Sequence, residues 1–167
     1  MSIKIKTTHK RSISRLMAVQ IFYQRDFLSG VSDDKKNLSE IKEDVIENYL
    51  LDFEENISSY RGKIDEEFLN NLIAGMSLNS QKIDEEITQF LKDGWSLEKL
   101  DGVMLQILRF AAFEIKFIQN IPAKVVIDEY VDLCASFFDE KKVTFANAVL
   151  DGLAKKNRAA EFGEKND

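Results

Sequence analysis

Cysteine, proline, histidine and glycine are scarce in this sequence of 167 residues, and each shortage narrows the class of protein. The one cysteine, Cys134, cannot form an internal disulfide, and so sparse a use of cysteine is typical of a reducing compartment. One proline and seven glycines supply few turns for an all-β fold. Because leucine, isoleucine, lysine and glutamate are abundant, the composition predicts an all-α protein.

Long apolar runs are also missing. The most apolar segment, residues 101–118, is interrupted by Arg109, Glu114 and Lys116, and its apolar stretches fall short of the roughly 20 residues that a membrane span needs. The N-terminus lacks the apolar core of an export signal. We therefore expect a cytoplasmic protein with no membrane span, in which residues 101–118 form a central core helix.

Groups that could carry catalysis are few. His9 is the only histidine, and it belongs to no Ser/His/Asp or Cys/His pattern. Cys134 lies in an apolar segment and is interpreted as a small core residue. The sequence has no Gly-rich phosphate loop, zinc-type cysteine spacing or calcium loop, so neither an enzyme nor a metal or other cofactor is predicted.

Hydrophobic periodicity predicts about seven helices within one domain, residues 10–158. Residues 1–9 are expected to form a flexible arm, and residues 159–167 a frayed tail. Cap and turn signals predict where the helices begin: near Lys10, after Asn37, near Asp65, at Asn79-Ser80, at Asp101, after Pro122 and at Thr144.

Charge is distributed unevenly along the chain. The net charge of −6 argues against a protein that coats nucleic acid nonspecifically. However, residues 1–30 carry a net charge of +5, whereas residues 31–67 carry −7. The basic end is consistent either with a local anion-binding site or with a solvated tail, and charge alone does not separate them.

Basic and aromatic residues share one side of the predicted first helix. Arg11 and Arg15 are one turn apart, and the same side continues toward Phe22 and Tyr23. Guanidinium groups neutralise phosphates and aromatic rings stack on unpaired bases, so this combination suits a single-stranded nucleic acid. The alternative interpretation is that both arginines are ordinary solvated side chains and that Tyr23 is a boundary residue.

Arg109 is a charged residue within the most apolar helix, and burial there requires a charged or hydrogen-bonding partner. Three acidic residues are candidates, and the sequence leaves the choice among them open. They are Glu114, Glu129 and Asp151.

Five sequence blocks together carry a family resemblance. They are AVQIFY (18–23), LIAG (72–75), ILRFAAFE (107–114), PAKVVIDE (122–129) and FANAVLD (145–151). In their order and spacing these blocks resemble the NusB family of bacterial transcription antitermination factors. The resemblance implies a NusB-like helical bundle of two packed helical subdomains without catalytic activity.

The resemblance also implies partners and contact residues. It implies binding to the single-stranded boxA element of nascent ribosomal RNA together with NusE, a small-subunit ribosomal protein, in a complex that helps RNA polymerase read through terminators. Homodimer formation is a further expectation left open. The RNA contacts carried over from the family are Lys10, Arg11, Arg15, Tyr23 and Phe145.

The chain departs from the family pattern at two places, and the thinned arginine segment together with the acidic net charge of −6 supports a rival hypothesis. The family's consecutive arginines are thinned to Lys10, Arg11 and Arg15, and Thr144 stands where a basic residue usually precedes Phe145. The rival is a helical adaptor that binds proteins or itself, with weak or no RNA binding. The acidic segment 31–67 is hypothesised to reduce nonspecific RNA binding.

Overall fold

The computed structural model describes residues 10–31, 37–51 and 64–163, which form six α-helices and no strand. The predicted all-α class is therefore confirmed. Residues 1–9, 32–36, 52–63 and 164–167 lie outside the described ranges, and with them the predicted N-terminal arm, His9 and much of the acidic segment 31–67. The helices are α1 (Lys10–Val31), α2 (Leu38–Leu51), α3 (Glu66–Thr88), α4 (Gly102–Phe117), α5 (Ala123–Phe137) and α6 (Glu140–Asn157), with 3-10 turns at Leu97–Lys99 and Ala159–Phe162.

The described residues belong to two compact units. Residues 10–73 form the N-terminal unit and residues 74–163 the C-terminal unit, and α3 begins in the first and ends in the second. In the N-terminal unit α1 packs against α2. In the C-terminal unit α4, α5 and α6 pack against one another. Because ten of the sixteen residues of α4 are buried, the predicted core helix is confirmed as the centre of this unit.

Within the described ranges the structure has six helices rather than about seven, and α3 is continuous where two helices were predicted. Asn79 and Ser80 are predicted to cap a separate helix, but both lie inside α3. The Asn79 side-chain amide donates to the Gly75 carbonyl oxygen at 2.8 Å, one turn earlier in the same helix. Gly75 itself permits close packing, since a Cβ at this position would lie 2.1 Å from the Phe113 ring.

Side-chain caps account for most helix starts. The Asn37 and Asp101 side chains accept hydrogen bonds from Glu40 N and Val103 N at 2.9 and 2.8 Å, as their predicted cap positions require. The predicted cap Thr144 is wrong. The α6 helix begins four residues earlier, where Asp139 Oδ1 accepts from Lys142 N at 3.1 Å.

Charge pairs connect the second half of α3 to α4 and α6 in the C-terminal unit. Arg109 forms a bidentate salt bridge with Asp84, in which Nε donates to Oδ1 at 2.7 Å and Nη2 donates to Oδ2 at 2.8 Å. Glu86 accepts from Lys116 at 2.9 Å and Lys156 at 3.1 Å. Burial opposes ionisation of Glu86, but the two lysines outweigh it and hold the pKa of this carboxyl below its ordinary value.

Asp84 is a different partner for Arg109 from those predicted. Of the three candidates, Glu114 is buried and accepts a hydrogen bond from the Tyr130 hydroxyl, while Asp151 pairs with Lys155 at 2.9 Å. The prediction that Arg109 has a charged or hydrogen-bonding partner agrees with the observed pair, and Asp84 was not among the three candidates. Asp84 lies 25 residues before Arg109, and no local pattern links the two.

The end of the central helix is capped by an arginine that the sequence did not single out. Arg158 is 6% exposed, and its guanidinium donates to the carbonyl oxygens of Glu114 at 3.0 Å, Ile115 at 2.8 Å and Ile118 at 2.8 Å. It also donates to Ile121 O and to Glu161 Oε2. A cation at this position supplies donors to carbonyl oxygens at the end of the helix and complements the helix dipole.

The predicted C-terminal tail, residues 159–167, begins as ordered structure. Ala159–Phe162 form a 3-10 turn. Glu161 Oε1 accepts from the Ala123 backbone N–H at 2.9 Å, at the start of α5. The Ala123 N–H and then Arg158 hold the pKa of Glu161 below its ordinary value. Within the described ranges, no helix is long and apolar enough to cross a membrane.

Candidate nucleic-acid interface

The first turn of α1 presents basic side chains to solvent. Lys10 is exposed, and the Arg11 side chain is 49% exposed. Arg11 is also partly oriented, because its guanidinium carbon lies 4.8 Å from the centre of the Phe68 ring and Nε lies 3.6 Å from Asp65 Oδ2. The ring contact and the ion pair through Nε leave other guanidinium N–H groups of Arg11 available to donate to an incoming phosphate.

Arg15 occupies a different environment from Arg11. It is 4% exposed, and its guanidinium carbon lies 5.1 Å from the centre of the same Phe68 ring. In the N-terminal unit, the guanidinium groups of both arginines therefore lie close to the Phe68 ring. Of the two predicted RNA-contacting arginines, Arg11 has an exposed side chain and Arg15 is buried.

Tyr23 is the exposed aromatic residue of the predicted surface on α1. It is 41% exposed, whereas its neighbour Phe22 is fully buried. The Arg25 guanidinium covers the Phe22 ring at 4.3 Å and pairs with Asp26 at 2.9 Å. From Lys10 to Tyr23 the helix extends about 20 Å, at roughly 1.5 Å per residue. Positive charge and an accessible ring thus lie along one helix, separated by the length of a few nucleotides.

The fifth predicted contact residue, Phe145, lies on α6 in the C-terminal unit. It is half-buried, and its ring stacks on Trp95 with the ring centres 6.0 Å apart and the planes inclined by 30°. Lys141 and Lys142 are exposed one turn earlier, and Lys142 Nζ lies 5.0 Å from the centre of the Phe138 ring. The structure therefore places four predicted residues on the N-terminal unit and one on the C-terminal unit.

Two residues of these surfaces were not recognised in the sequence. Phe68 belongs to a regular apolar stripe, so nothing in the sequence marks it as the ring beneath two arginines. Trp95 is 53% exposed. The only sequence signal was its position in a polar turn after Gly94.

Cysteine and acidic residues offer no alternative site in the described ranges. Cys134 is buried, as predicted. Burial raises the pKa of its thiol to about 11, and Lys142 offsets this only in part. At neutral pH such a thiol is almost wholly protonated and a poor nucleophile. Among residues 10–31, 37–51 and 64–163, no group of three or more His, Cys, Asp or Glu side chains is arranged to hold a metal ion.

The described residues define an all-helical protein whose candidate binding surfaces combine exposed lysine and arginine with aromatic rings. The model of the NusB family matches residues 12–155. The chain therefore belongs to the NusB family, as its five sequence blocks indicated.

Individual relatives agree with this assignment. The transcription antitermination protein NusB of Nitrobacter hamburgensis is 39% identical over 72 residues, which cover 43% of this chain and 45% of that protein. The chain thus aligns with less than half the length of such curated relatives. The solved structure of T. maritima NusB has a TM-score of 0.70 at 25% identity and covers 92% of this chain and 96% of its own.

A second solved structure has the same fold. It is that of the antitermination factors NusB and NusE in complex with double-stranded RNA. It has a TM-score of 0.68 at 24% identity and covers 88% of this chain and 97% of its own. The NusB-like helical fold predicted from the sequence is confirmed.

Proposed function

We propose that this protein is an RNA-binding transcription antitermination factor that binds the boxA element of nascent ribosomal RNA together with NusE. Curated relatives carry the name transcription antitermination protein, and one fold neighbour is a complex of NusB and NusE with RNA. Within this chain, the proposal depends chiefly on exposed Lys10, Arg11 and Tyr23 on α1. The protein acts in the cytoplasm by binding rather than catalysis, and the complex helps RNA polymerase pass terminators.

In the proposed mechanism, these residues and their neighbours have different roles. Lys10 and Arg11 neutralise phosphates, and Tyr23 stacks on an unpaired base. Arg15 positions the Phe68 ring against which Arg11 lies. Phe145 provides a second stacking position on the C-terminal unit. NusE adds affinity through contacts of its own, and a homodimer would compete with the RNA complex if it covered these surfaces.

We predict that Arg11→Ala and Arg15→Ala have different consequences. Arg11→Ala removes an exposed cation, so it should weaken boxA binding several-fold and reduce the slope of log affinity against log salt by about 0.7, the contribution of one phosphate on a single strand. Arg15→Ala removes a buried side chain and should mainly lower stability, by about 1–3 kcal/mol. Fluorescence anisotropy over a salt series, with thermal unfolding of each variant, measures both effects.

Arg25→Ala is the matched control for Arg11→Ala. Arg25 lies on the same helix and also covers an aromatic ring, but it is paired with Asp26 at 2.9 Å. The Arg25→Ala variant should leave the slope of log affinity against log salt unchanged. Equal salt slopes for wild type and Arg11→Ala would contradict a phosphate contact at Arg11.

A further inference from the structure

Trp95, the only tryptophan of the chain, lies at the surface of the C-terminal unit with 53% of its area exposed. A single exposed apolar residue is ordinary, but this one is half of a stacked pair with Phe145, a predicted RNA contact. The indole is the largest aromatic surface among protein side chains. Contact with the Phe145 ring leaves more than half of Trp95 accessible to a further planar group.

The backbone around Trp95 is held in place by its own turn. Gly94 adopts a left-handed conformation with φ of +83°, which favours glycine. The Trp95 N–H donates to Lys92 O at 3.0 Å, and Lys99 Nζ donates to Gly94 O at 2.8 Å. Because the turn is fixed before any ligand arrives, less conformational freedom is lost when a ligand stacks on the ring.

Charge around the pair favours an anionic ligand on the α6 side. Lys141 lies one turn before Phe145, at the i, i+4 spacing that places both on the same face of α6, and it is exposed. On the Trp95 side, exposed Asp93 and Glu98 are accompanied by exposed Lys92 and Lys99, so these charges offset one another. A nucleic-acid backbone is therefore favoured beside Lys141, with its bases directed toward the two rings.

We infer that Trp95 is a base-stacking residue: an unpaired base of single-stranded RNA stacks on its exposed indole, next to a base at Phe145, with Lys141 contacting the phosphate between them. This inference depends on the proposed RNA-binding function and adds a second stacking position to it. Aromatic stacking tolerates any base, so the position contributes affinity more than sequence preference.

Because Trp95 is the only tryptophan, its fluorescence reports the ring directly. Titrating the full chain with a boxA RNA oligonucleotide should quench this emission, with the same midpoint as binding followed by the anisotropy of labelled RNA. Trp95→Ala should weaken binding roughly 5- to 160-fold, the range for loss of one stacked base. Trp95→Phe should restore most of the affinity, whereas Trp95→Leu should not. Thermal unfolding establishes that each variant is folded.

Phe117→Ala is the matched control. Phe117 lies on the same unit, is 41% exposed and has Lys82 Nζ 5.9 Å from its ring centre, but it does not belong to the stacked pair. Its loss should leave RNA affinity unchanged. Equal loss of affinity in Phe117→Ala and Trp95→Ala would overturn a specific role for Trp95.

The outcomes separate this inference from the proposed function. RNA binding by the wild type without quenching, and with full affinity in Trp95→Ala, would overturn the role of Trp95 and leave the proposed function standing. Weakened binding by Trp95→Ala without quenching in the wild type would assign Trp95 to supporting Phe145, which also overturns stacking. Quenching by NusE alone would assign the ring to a protein partner. Absence of boxA binding by the wild type, even with NusE, would overturn the proposed function itself.

Discussion

Replacing Arg158 by alanine is expected to lower the free energy of unfolding by about 3–5 kcal/mol, since buried acceptors and a paired carboxylate lose a charged donor at once. Three carbonyl oxygens at the end of α4 would each lose a charged donor in a region where Arg158 is 6% exposed. Urea unfolding measures the loss. The corresponding fall in melting temperature is about 10 °C for a chain of this size.

Variants of neighbouring charges test the geometry of this cap. Arg158→Lys keeps the charge but not the planar set of donors, so its stability should lie between those of wild type and Arg158→Ala. Lys155→Ala removes a 52% exposed partner of Asp151 and should change stability by less than about 1 kcal/mol. If Arg158→Ala were as stable as Lys155→Ala, the capping role would be wrong.

The Arg158 cap also has a pH dependence through Glu161. The pKa of Glu161 is held below its ordinary value, chiefly by the Ala123 N–H and then by Arg158. A carboxylate with a lowered pKa in the folded state contributes stability above its unfolded pKa and loses that contribution as the pH falls through the folded pKa. The stability difference between wild type and Glu161→Gln should therefore be present at neutral pH and disappear in acid.

Breaking the Arg109–Asp84 pair is the second large effect that we expect. Arg109→Ala should lower the free energy of unfolding by about 2–4 kcal/mol. This is less than the largest losses for fully buried ion pairs, because both side chains retain some exposure. Arg109→Lys should cost less, because it keeps the charge and loses the bidentate geometry. RNA affinity should be unchanged in folded protein, since the pair links α3 to α4 and belongs to neither candidate surface.

A double-mutant cycle separates the pair from the packing of its members. The double variant Arg109→Ala/Asp84→Ala should be destabilised less than the sum of the single variants, with a coupling of about 1–3 kcal/mol. Additive effects would show that the contact contributes no pairwise energy. Normal stability with selective loss of RNA binding in Arg109→Lys would contradict the structural role of Arg109.

Local sequence signals predicted the helices well and their interruptions less well. Periodic apolar residues and the caps Asn37 and Asp101 depend on contacts within one or two helical turns, so the local sequence predicts them. Asn79 was misread because the asparagine side chain can cap a new helix or bond to the preceding turn of the same one, and the sequence does not distinguish these. Thr144 failed for the same reason, since its hydroxyl donates to Glu140 O inside α6.

The remaining differences between the sequence-based predictions and the structure involve contacts between segments that are far apart in the sequence. Arg158 caps carbonyls 40 to 44 residues earlier, and Asp84 meets Arg109 across 25 residues, so no local pattern predicts either contact. On α1, helical spacing places Arg11 and Arg15 on one side, but burial of Arg15 also requires Phe68 from α3. Phe145 was identified only through the family resemblance, and the exposure of Trp95 only through the structure.

Direct measurement of boxA binding, with and without NusE, tests the central claim most directly. The wild type should bind boxA RNA more tightly than a scrambled RNA of equal length, with higher affinity when NusE is present. If about three phosphates are neutralised, the slope of log affinity against log salt should be about −2. The Lys10→Ala/Arg11→Ala double variant should lose most of this binding. Equal, weak binding of both proteins to both RNAs, with NusE binding intact, would contradict the account and favour the protein-binding adaptor.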